Sequence, residues 1–492
     1  MATKLCARNL GSISAVAAVP TYDRALLSPG ILHFGVGNFH RAHQALYLDR
    51  LFNTGVGHDW AIIGASVMSS DERLRQSLKE QDFLSTVVEQ SATESNARVT
   101  GAMVDFLMPG NSADIIRSLA DPAIRIVSLT ITEGGYFINP GSGVFDPRHP
   151  VLISDSADPE NPKTVFGLMI AGLKERRSAG IPPFSILSCD NIPHNGRVTR
   201  DAVVGLARLS DPGLADWIQD KVAFPNSMVD RISPATSTRE RELLARDFGI
   251  EDAAPVFCEH YSQWVLEDRF TSGRPALETV GVQFVPDVTP YETMKIRMLN
   301  GGHATIAYAA GLLGIQYAHE AMEHALLRPF LAKVEHDEII PIVPPLPTTD
   351  LNAYFTLIEE RFSNPKIADT VRRLCYDGSN RQSKFITPSI NDRLKVGADI
   401  QGLALVSALW SRYCFGTLEN GQEIEPNDPE WSRLNAVAHL ARQDPLAWLA
   451  MDDIYGEVGR VPLFQERFSA ALLALYAEGV ESVLAGYLEG AS

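Results

Sequence analysis

The chain is short of the features that mark secreted scaffolds, membrane proteins and nucleic-acid binders. Its 492 residues hold five cysteines, Cys6, Cys189, Cys258, Cys375 and Cys414, odd in number and far apart. No C-x-x-C pair occurs. A disulfide framework or a zinc ribbon is therefore not expected, and reduced thiols in a cytoplasmic protein are. No apolar run approaches the ~20 residues that span a bilayer, so no membrane partner is expected. Lys4 and Arg8 precede an apolar stretch at residues 12–19, but polar residues interrupt it, and a mature N-terminus is the expectation. Basic charge is scarce as well: 43 Lys and Arg against 60 Asp and Glu leave a net charge of −17. Phosphate backbones need a basic surface, so no nucleic acid is expected as a partner, while a local pocket for a small anion stays possible. No heptad seam argues for a coiled-coil dimer, and a monomer or weak homo-oligomer is expected.

What is present suits a soluble enzyme of two domains. The length exceeds one ordinary core, and 45% hydrophobic with 21% charged residues is ordinary globular composition. Short apolar runs at 30–37, 60–64, 124–132 and 184–188 read as buried strands. Helical periodicity lies between them, at 39–52, 114–119 and 165–179. That alternation predicts a parallel sheet with helices on its faces. Beyond Pro290 the strand signals thin out and helical stretches take over, at 291–313, 351–362, 367–375, 403–414, 431–441 and 464–488, the last interrupted by Gly479 and Gly486. The expected division is an α/β domain over 1–286 and a mainly α-helical domain over 287–492.

Gly35-Val36-Gly37-Asn38-Phe39-His40 follows a strand and opens a helix, the setting of a dinucleotide-binding turn. Gly35 allows the tight turn, and Gly37 lets backbone N–H groups approach a pyrophosphate. Asn38 and Phe39 begin the helix. His40 stands where the usual fingerprint has a third glycine, so the match is incomplete, and a glycine-kinked strand end would look the same. Asp71 follows the second strand, where a carboxylate accepts hydrogen bonds from the ribose 2′-OH and repels a 2′-phosphate. It favours NAD over NADP, although a solvated loop acid is the bland alternative.

The densest polar segment is 291–303. It places Lys295, Asn300 and His303 within nine residues. On an α-helix, Asn300 falls about 140° and His303 about 80° around from Lys295, so one broad face carries an amine, an amide and an imidazole. Lys295 can take a hydroxyl proton if burial or a nearby cation brings its pKa down from ~10.4. Asn300 and Asn191 can donate to an alkoxide-like oxygen. A solvated lysine and a structural histidine are the plain alternatives. Metal chemistry is less well served: His40 and His43 have no nearby acid or cysteine to complete a ligand set, and His319 and His324 miss the H-E-x-x-H spacing by one residue.

These motifs, together with Thr130-Ile131-Thr132-Glu133-Gly134-Gly135-Tyr136, Ser188-Cys189-Asp190-Asn191, residues 224–232 around Asp230, residues 263–268 and Gly273-Arg274-Pro275, occur in one order along nearly the whole chain. In that order they resemble the polyol-specific long-chain dehydrogenases, the mannitol 2-dehydrogenase family. The resemblance implies a Rossmann-type N-terminal domain, a helical C-terminal domain, substrate in the cleft between them, NAD as cofactor and no metal. It implies Lys295 as general base, Asn191 and Asn300 as the oxyanion-stabilising pair, and His303 and Asp230 on substrate hydroxyls. Glu292 matches the glutamate associated with proton exit, and Glu133 lies in a shared motif. Arg373 matches the family's substrate loop, whereas Arg381 stands where mannitol-type members carry lysine. With Lys384, these arginines would also suit a carboxylate. The readings carried forward are a D-mannitol to D-fructose dehydrogenase acting on a polyol or ketose, a fructuronate-type hexuronate reductase, and a dehydrogenase for arabinitol, sorbitol or another polyol. More remote are a lysine Schiff-base aldolase, which needs no glycine turn, and a non-catalytic sugar sensor.

Overall fold

The computed structural model describes residues 2–139, 144–347 and 349–490. The chain forms two compact units, Met1–Thr289 and Pro290–Ser492.

The first unit is built on five short strands: β1 (Pro29–Phe34), β2 (Ala61–Ala65), β3 (Met103–Phe106), β4 (Ile126–Leu129) and β5 (Ser185–Ser188). They lie in the order β3-β2-β1-β4-β5, every neighbouring pair parallel. Alternate side chains feed opposite faces. Leu32, Phe34, Val127, Leu129 and Ile186 join a core with Phe166, Met169, Leu173 and Val203. Ile31, Ile62, Ile126 and Leu187 face the other way, onto Leu48, Leu51, Phe52 and Trp264. Burial on both faces is why β1, β2, β4 and β5 read as apolar runs, whereas the edge strand β3, with Val104 and Asp105 only half-buried, gave no such signal. Strand order reverses at β1 and β4, so the carboxyl ends of these two strands flank the topological switch point where open α/β sheets take their ligands.

Two three-stranded sheets had no clear sequence signal. One is Ser85–Gln90, antiparallel to Ser95–Thr100 and parallel to Val256–Glu259. The other contains β6 (Ser227–Asp230), β7 (Gln263–Glu267) and β8 (Gln283–Val285), with β7 antiparallel to β6 and parallel to β8. The single helix expected over 39–52 is two helices, Asn38–Ala42 and Gln44–Phe52, broken at His43 where φ is −124° and ψ is −90°.

The second unit is helical, and among its described residues β-pairing is limited to isolated bridges. Its centre is Gly301–Leu312, buried along almost its whole length and packed by Leu327–Val334, Val371–Cys375 and Gln401–Cys414. The helix expected over 367–375 covers only Val371–Cys375, because Thr370 caps it by accepting the Arg373 N–H. Gly479, with φ of 83°, separates Pro462–Glu478 from Val480–Glu489, whereas Gly486 lies inside the last helix without breaking it. Three segments widen into π-helix: Lys295–Asn300, Glu335–Ile339 and Gln382–Ile386. The first packs against both of the others.

Candidate active site

In the first unit, the candidate groups other than Asp230 follow the carboxyl ends of the parallel strands. The turn after β1 holds Gly35 at φ of +96°, and a Cβ there would meet the Thr130 carbonyl oxygen at 2.0 Å, so only glycine fits. Gly37 differs: a Cβ on it would meet nothing closer than 3.9 Å. The open space in front of this backbone is what the approach of a dinucleotide's diphosphate requires. The Asn38 side chain is already committed. It donates to the Pro234 carbonyl at 2.9 Å and to Thr236 Oγ1 at 3.0 Å, and it accepts from Arg41 at 2.7 Å. Phe39 stacks on His43 with ring centroids 4.7 Å apart. Asn38 and Phe39 therefore have main-chain N–H groups to offer an anion, while their side chains hold the turn in place.

Beneath the turn, His33 and His40 stack at 3.5 Å with planes 15° apart, both buried. His40 thus occupies the place of a third glycine as a packing ring. His33 Nδ1 lies 2.8 Å from Ser128 Oγ and its Nε2 lies 3.0 Å from Thr130 Oγ1, which ties β1 to β4. Burial drives both imidazoles below their ordinary pKa, His33 to about 3.

Asp71 comes six residues after β2 and accepts the Ser66 hydroxyl at 2.6 Å, which links it to the strand end. Glu133 is exposed after β4, and Asn191 is exposed after β5. Asp230 closes β6 opposite Gln263 of β7 and is buried.

In the second unit, Glu292 and Lys295 are both buried. Lys295 opens the π-helical segment, and the Gly301 N–H donates back to the Ile296 carbonyl, five residues earlier. This corrects the α-helical geometry expected for the Lys295, Asn300 and His303 face. In an i→i+5 repeat, residue 300 lies about one turn below residue 295 rather than well around the cylinder. The wide turn thus brings the backbone of residue 300 back toward the side of the helix that carries residue 295. Such turns recur at functional sites.

His303 is partly buried and stacks on Phe362, with centroids 3.9 Å apart and planes 13° apart. Burial holds its pKa well below the usual imidazole value, and the charges of Arg373, Arg381 and Arg361 push the same way. The ring is therefore neutral, one nitrogen donating and the other accepting. Arg373 forms a two-pronged pair with Asp369, its Nε donating at 2.5 Å. Arg381 donates to the Leu374 carbonyl at 2.6 Å, and Lys384 is exposed nearby in sequence. Phe362, Arg361 and Asp369 escaped the sequence reading, since nothing in a linear pattern links them to residue 303. Among the described residues no group of three His, Cys, Asp or Glu side chains is placed to hold a metal ion.

The chain is similar to known proteins along almost its whole length. Residues 29–279 match the mannitol dehydrogenase Rossmann domain, and residues 287–476 match the mannitol dehydrogenase C-terminal domain. A mannitol 2-dehydrogenase of Cereibacter sphaeroides is 56% identical over 470 residues, covering 95% of this chain and 98% of the relative. One from Aspergillus terreus is 40% identical over 99% of each chain. Among solved structures, the Pseudomonas fluorescens mannitol 2-dehydrogenase ternary complex with NAD and D-mannitol superposes with a TM-score of 0.88 at 43% identity, covering 99% of this chain and all of that one. A substrate-free D-sorbitol dehydrogenase gives 0.90 at 35% identity, covering 98% of this chain and all of the other.

Proposed function

The chain belongs to the mannitol dehydrogenase family, and from that premise we propose that it is an NAD-dependent polyol dehydrogenase that oxidises D-mannitol at C2 to D-fructose. The observation that carries the reading is the buried Lys295 at the head of a π-helical turn, with Asn300 one turn below it. NAD, when bound, supplies a nicotinamide that accepts the hydride from the carbinol carbon.

The protein's own groups do the rest. Lys295 takes the C2 hydroxyl proton, and as an ammonium it returns that proton to the ketose carbonyl in the reverse direction. The amides of Asn300 and Asn191 donate to the oxygen as negative charge grows on it. His303, neutral and fixed by Phe362, orients one substrate hydroxyl, and Asp230 accepts from others. Glu292, one α-turn before Lys295, takes the proton onward, with Glu133 as a second acceptor. No step calls for a metal. Gly35 and Gly37 form the cradle for the diphosphate, and Asp71 favours the free ribose of NAD over the phosphorylated ribose of NADP.

The pairing of Arg373 with Asp369 supports a neutral polyol over a hexuronate. A guanidinium already neutralised by a two-pronged carboxylate has little charge left for a substrate carboxylate. The 56% identity to a mannitol 2-dehydrogenase supports mannitol over sorbitol. Five buried free thiols suit the reducing cytoplasm. No described helix is long and apolar enough to cross a membrane.

A panel of mannitol, sorbitol, arabinitol and fructuronate with both nicotinamide cofactors tests the assignment, and mannitol with NAD is expected to lead. Activity confined to fructuronate would overturn it. In Lys295→Ala, turnover is expected to fall by roughly three orders of magnitude or more with NAD binding retained. Near-normal turnover in that variant would remove the lysine from the mechanism.

A further inference from the structure

The carboxylate of Asp190 joins the two first-unit loops to which the proposed function assigns catalytic groups. It accepts the Ile131 N–H at 3.0 Å, the Thr132 N–H at 2.9 Å and the Tyr136 hydroxyl at 2.6 Å. Tyr136 has one proton and gives it to Asp190. The Ser188 hydroxyl, 2.6 Å from the Tyr136 oxygen, therefore donates to it. The Asp190 N–H donates back to Ser188 Oγ at 3.3 Å, which closes a ring of hydrogen bonds in a buried setting. Each bond of such a ring polarises the next.

The main chain of the same residue is held as firmly. Asn195 Nδ2 donates to the Asp190 carbonyl at 3.1 Å and to the Ser227 carbonyl at 2.8 Å. Ser227 returns its N–H to Asn195 Oδ1 at 2.9 Å and its hydroxyl to the Ser188 carbonyl at 2.5 Å. Residue 190 is thus joined to the loop after β4, the end of β5 and the start of β6.

The loop it holds is strained. Thr132 has φ of 66° and ψ of 163°, a region almost reserved for glycine, and its side chain is β-branched. Such a conformation persists only where its surroundings over-determine it, and here the Asp190 carboxylate grips the Thr132 N–H itself. Glu133 is the next residue along that loop, and Asn191 is the next residue after the carboxylate. Two N–H groups and one hydroxyl converge on it, more than the single acceptor oxygen of an amide serves well.

We infer that Asp190 is a positioning residue for polyol oxidation: with Tyr136 and Ser188 it fixes the Asn191 loop and the strained Glu133 loop in one relation, and it touches neither substrate nor cofactor. The inference rests on the proposed dehydrogenase function. A displacement of about 1 Å in a catalytic group costs on the order of a hundredfold in rate, so the assignment makes a kinetic demand.

The test uses the full-length enzyme with mannitol and NAD, and compares Asp190→Asn, Tyr136→Phe, Asn191→Ala and the two double variants with Asn191→Ala. Asp190→Asn is expected to lower kcat by roughly 30- to 100-fold while the NAD Kd and the mannitol KM stay within about threefold. In the Asn191→Ala background, the same change is expected to cost several-fold less, because one of the two groups it positions is gone. A loss of equal size in both backgrounds, or kcat within about twofold of wild type for Asp190→Asn, would overturn the inference. Tyr136→Phe keeps the carboxylate and removes one donor, so its loss is expected to be smaller but equally dependent on Asn191. If Asp190→Asn does not fold, the Tyr136→Phe cycle decides by the same criterion. Normal turnover in Asn191→Ala alone would instead remove the premise about Asn191, an outcome separable from the failure of Asp190.

Discussion

His303 lies flat against Phe362, ring on ring at 3.9 Å. The stack fixes the imidazole plane, and the surrounding arginine charge with burial keeps the ring neutral. Phe362→Leu keeps the site apolar and removes the planar support. The expected outcome is a mannitol KM raised by roughly tenfold, with the NAD Kd unchanged, since only orientation of the substrate hydroxyl suffers. Steady-state kinetics with a separate NAD titration check it. A KM equal to wild type would show that His303 needs no such support.

The two glycines of the first turn are expected to behave differently. Gly35→Ala forces a Cβ into the Thr130 carbonyl and a side chain into positive φ, so it is expected to cost several kcal/mol or to prevent folding. Gly37→Ala places its methyl group in open space at an ordinary φ of −93°. That variant is expected to melt within a few degrees of wild type yet bind NAD at least about tenfold more weakly. Differential scanning fluorimetry with and without NAD separates the two, and unimpaired binding in Gly37→Ala would move the diphosphate elsewhere.

Asp369 is expected to set substrate charge preference through Arg373. Asp369→Asn releases the guanidinium from its two-pronged partner. The ratio of kcat/KM for fructuronate to that for mannitol is expected to rise by roughly tenfold, because an unpaired arginine attracts a carboxylate. An unchanged ratio would show that the Arg373 charge does not reach the substrate.

Stability is expected to respond to pH in opposite senses at two buried groups, one in each unit. The folded-state pKa of His33 is about 3 against an ordinary 6.5. Its contribution is therefore complete above about pH 6.5 and drains away as pH falls toward 3, on the order of 3 kcal/mol by pH 4.5. Glu338 has the opposite sense. It accepts the Gly402 and Leu403 N–H groups at 2.6 and 2.9 Å, and burial raises its pKa from 4.5 to about 7. The unfolded chain ionises first, so stability declines as pH rises between those values, by roughly 3 kcal/mol. Buried Glu335 shifts in the same direction. The two slopes oppose each other between about pH 4.5 and 6.5. Urea unfolding from pH 4 to 7 is expected to show stability falling more steeply with rising pH in His33→Gln, where only the Glu338 slope is left, and rising more steeply in Glu338→Gln, where only the His33 slope is left. Profiles parallel to wild type would place the titration elsewhere.

Sequence pattern gave four of the five parallel strands, because β1, β2, β4 and β5 are buried on both faces and read as apolar runs, and it missed the edge strand β3, where Asp105 interrupts the run and Val104 and Asp105 are only half-buried. The helix Val165–Ala179 was equally plain, with Thr164 capping one end and Gly180 in the left-handed region closing the other. Periodicity failed where a backbone departs locally from 3.6 residues per turn. It missed the break at His43, and it missed the wide turn at Lys295–Asn300, since apolar spacing changes little when one turn gains a residue. The strands 85–90 and 95–100 have mixed polar and apolar residues and gave no run to find. At the site, the residue types lay in readable motifs, while their supports did not. Phe362, Asp369 and the Tyr136 contact to Asp190 arise from tertiary packing between segments far apart in sequence.

The wide turn at Lys295–Asn300 also constrains how this segment can vary. It accommodates one residue beyond an α-helical turn. Removing a residue would restore the ordinary ladder and rotate Lys295 by about 100° relative to His303. Replacement of one side chain by another leaves that relation intact, whereas any change of chain length destroys it. Substitutions are thus the permitted currency of variation here, and insertions and deletions are not.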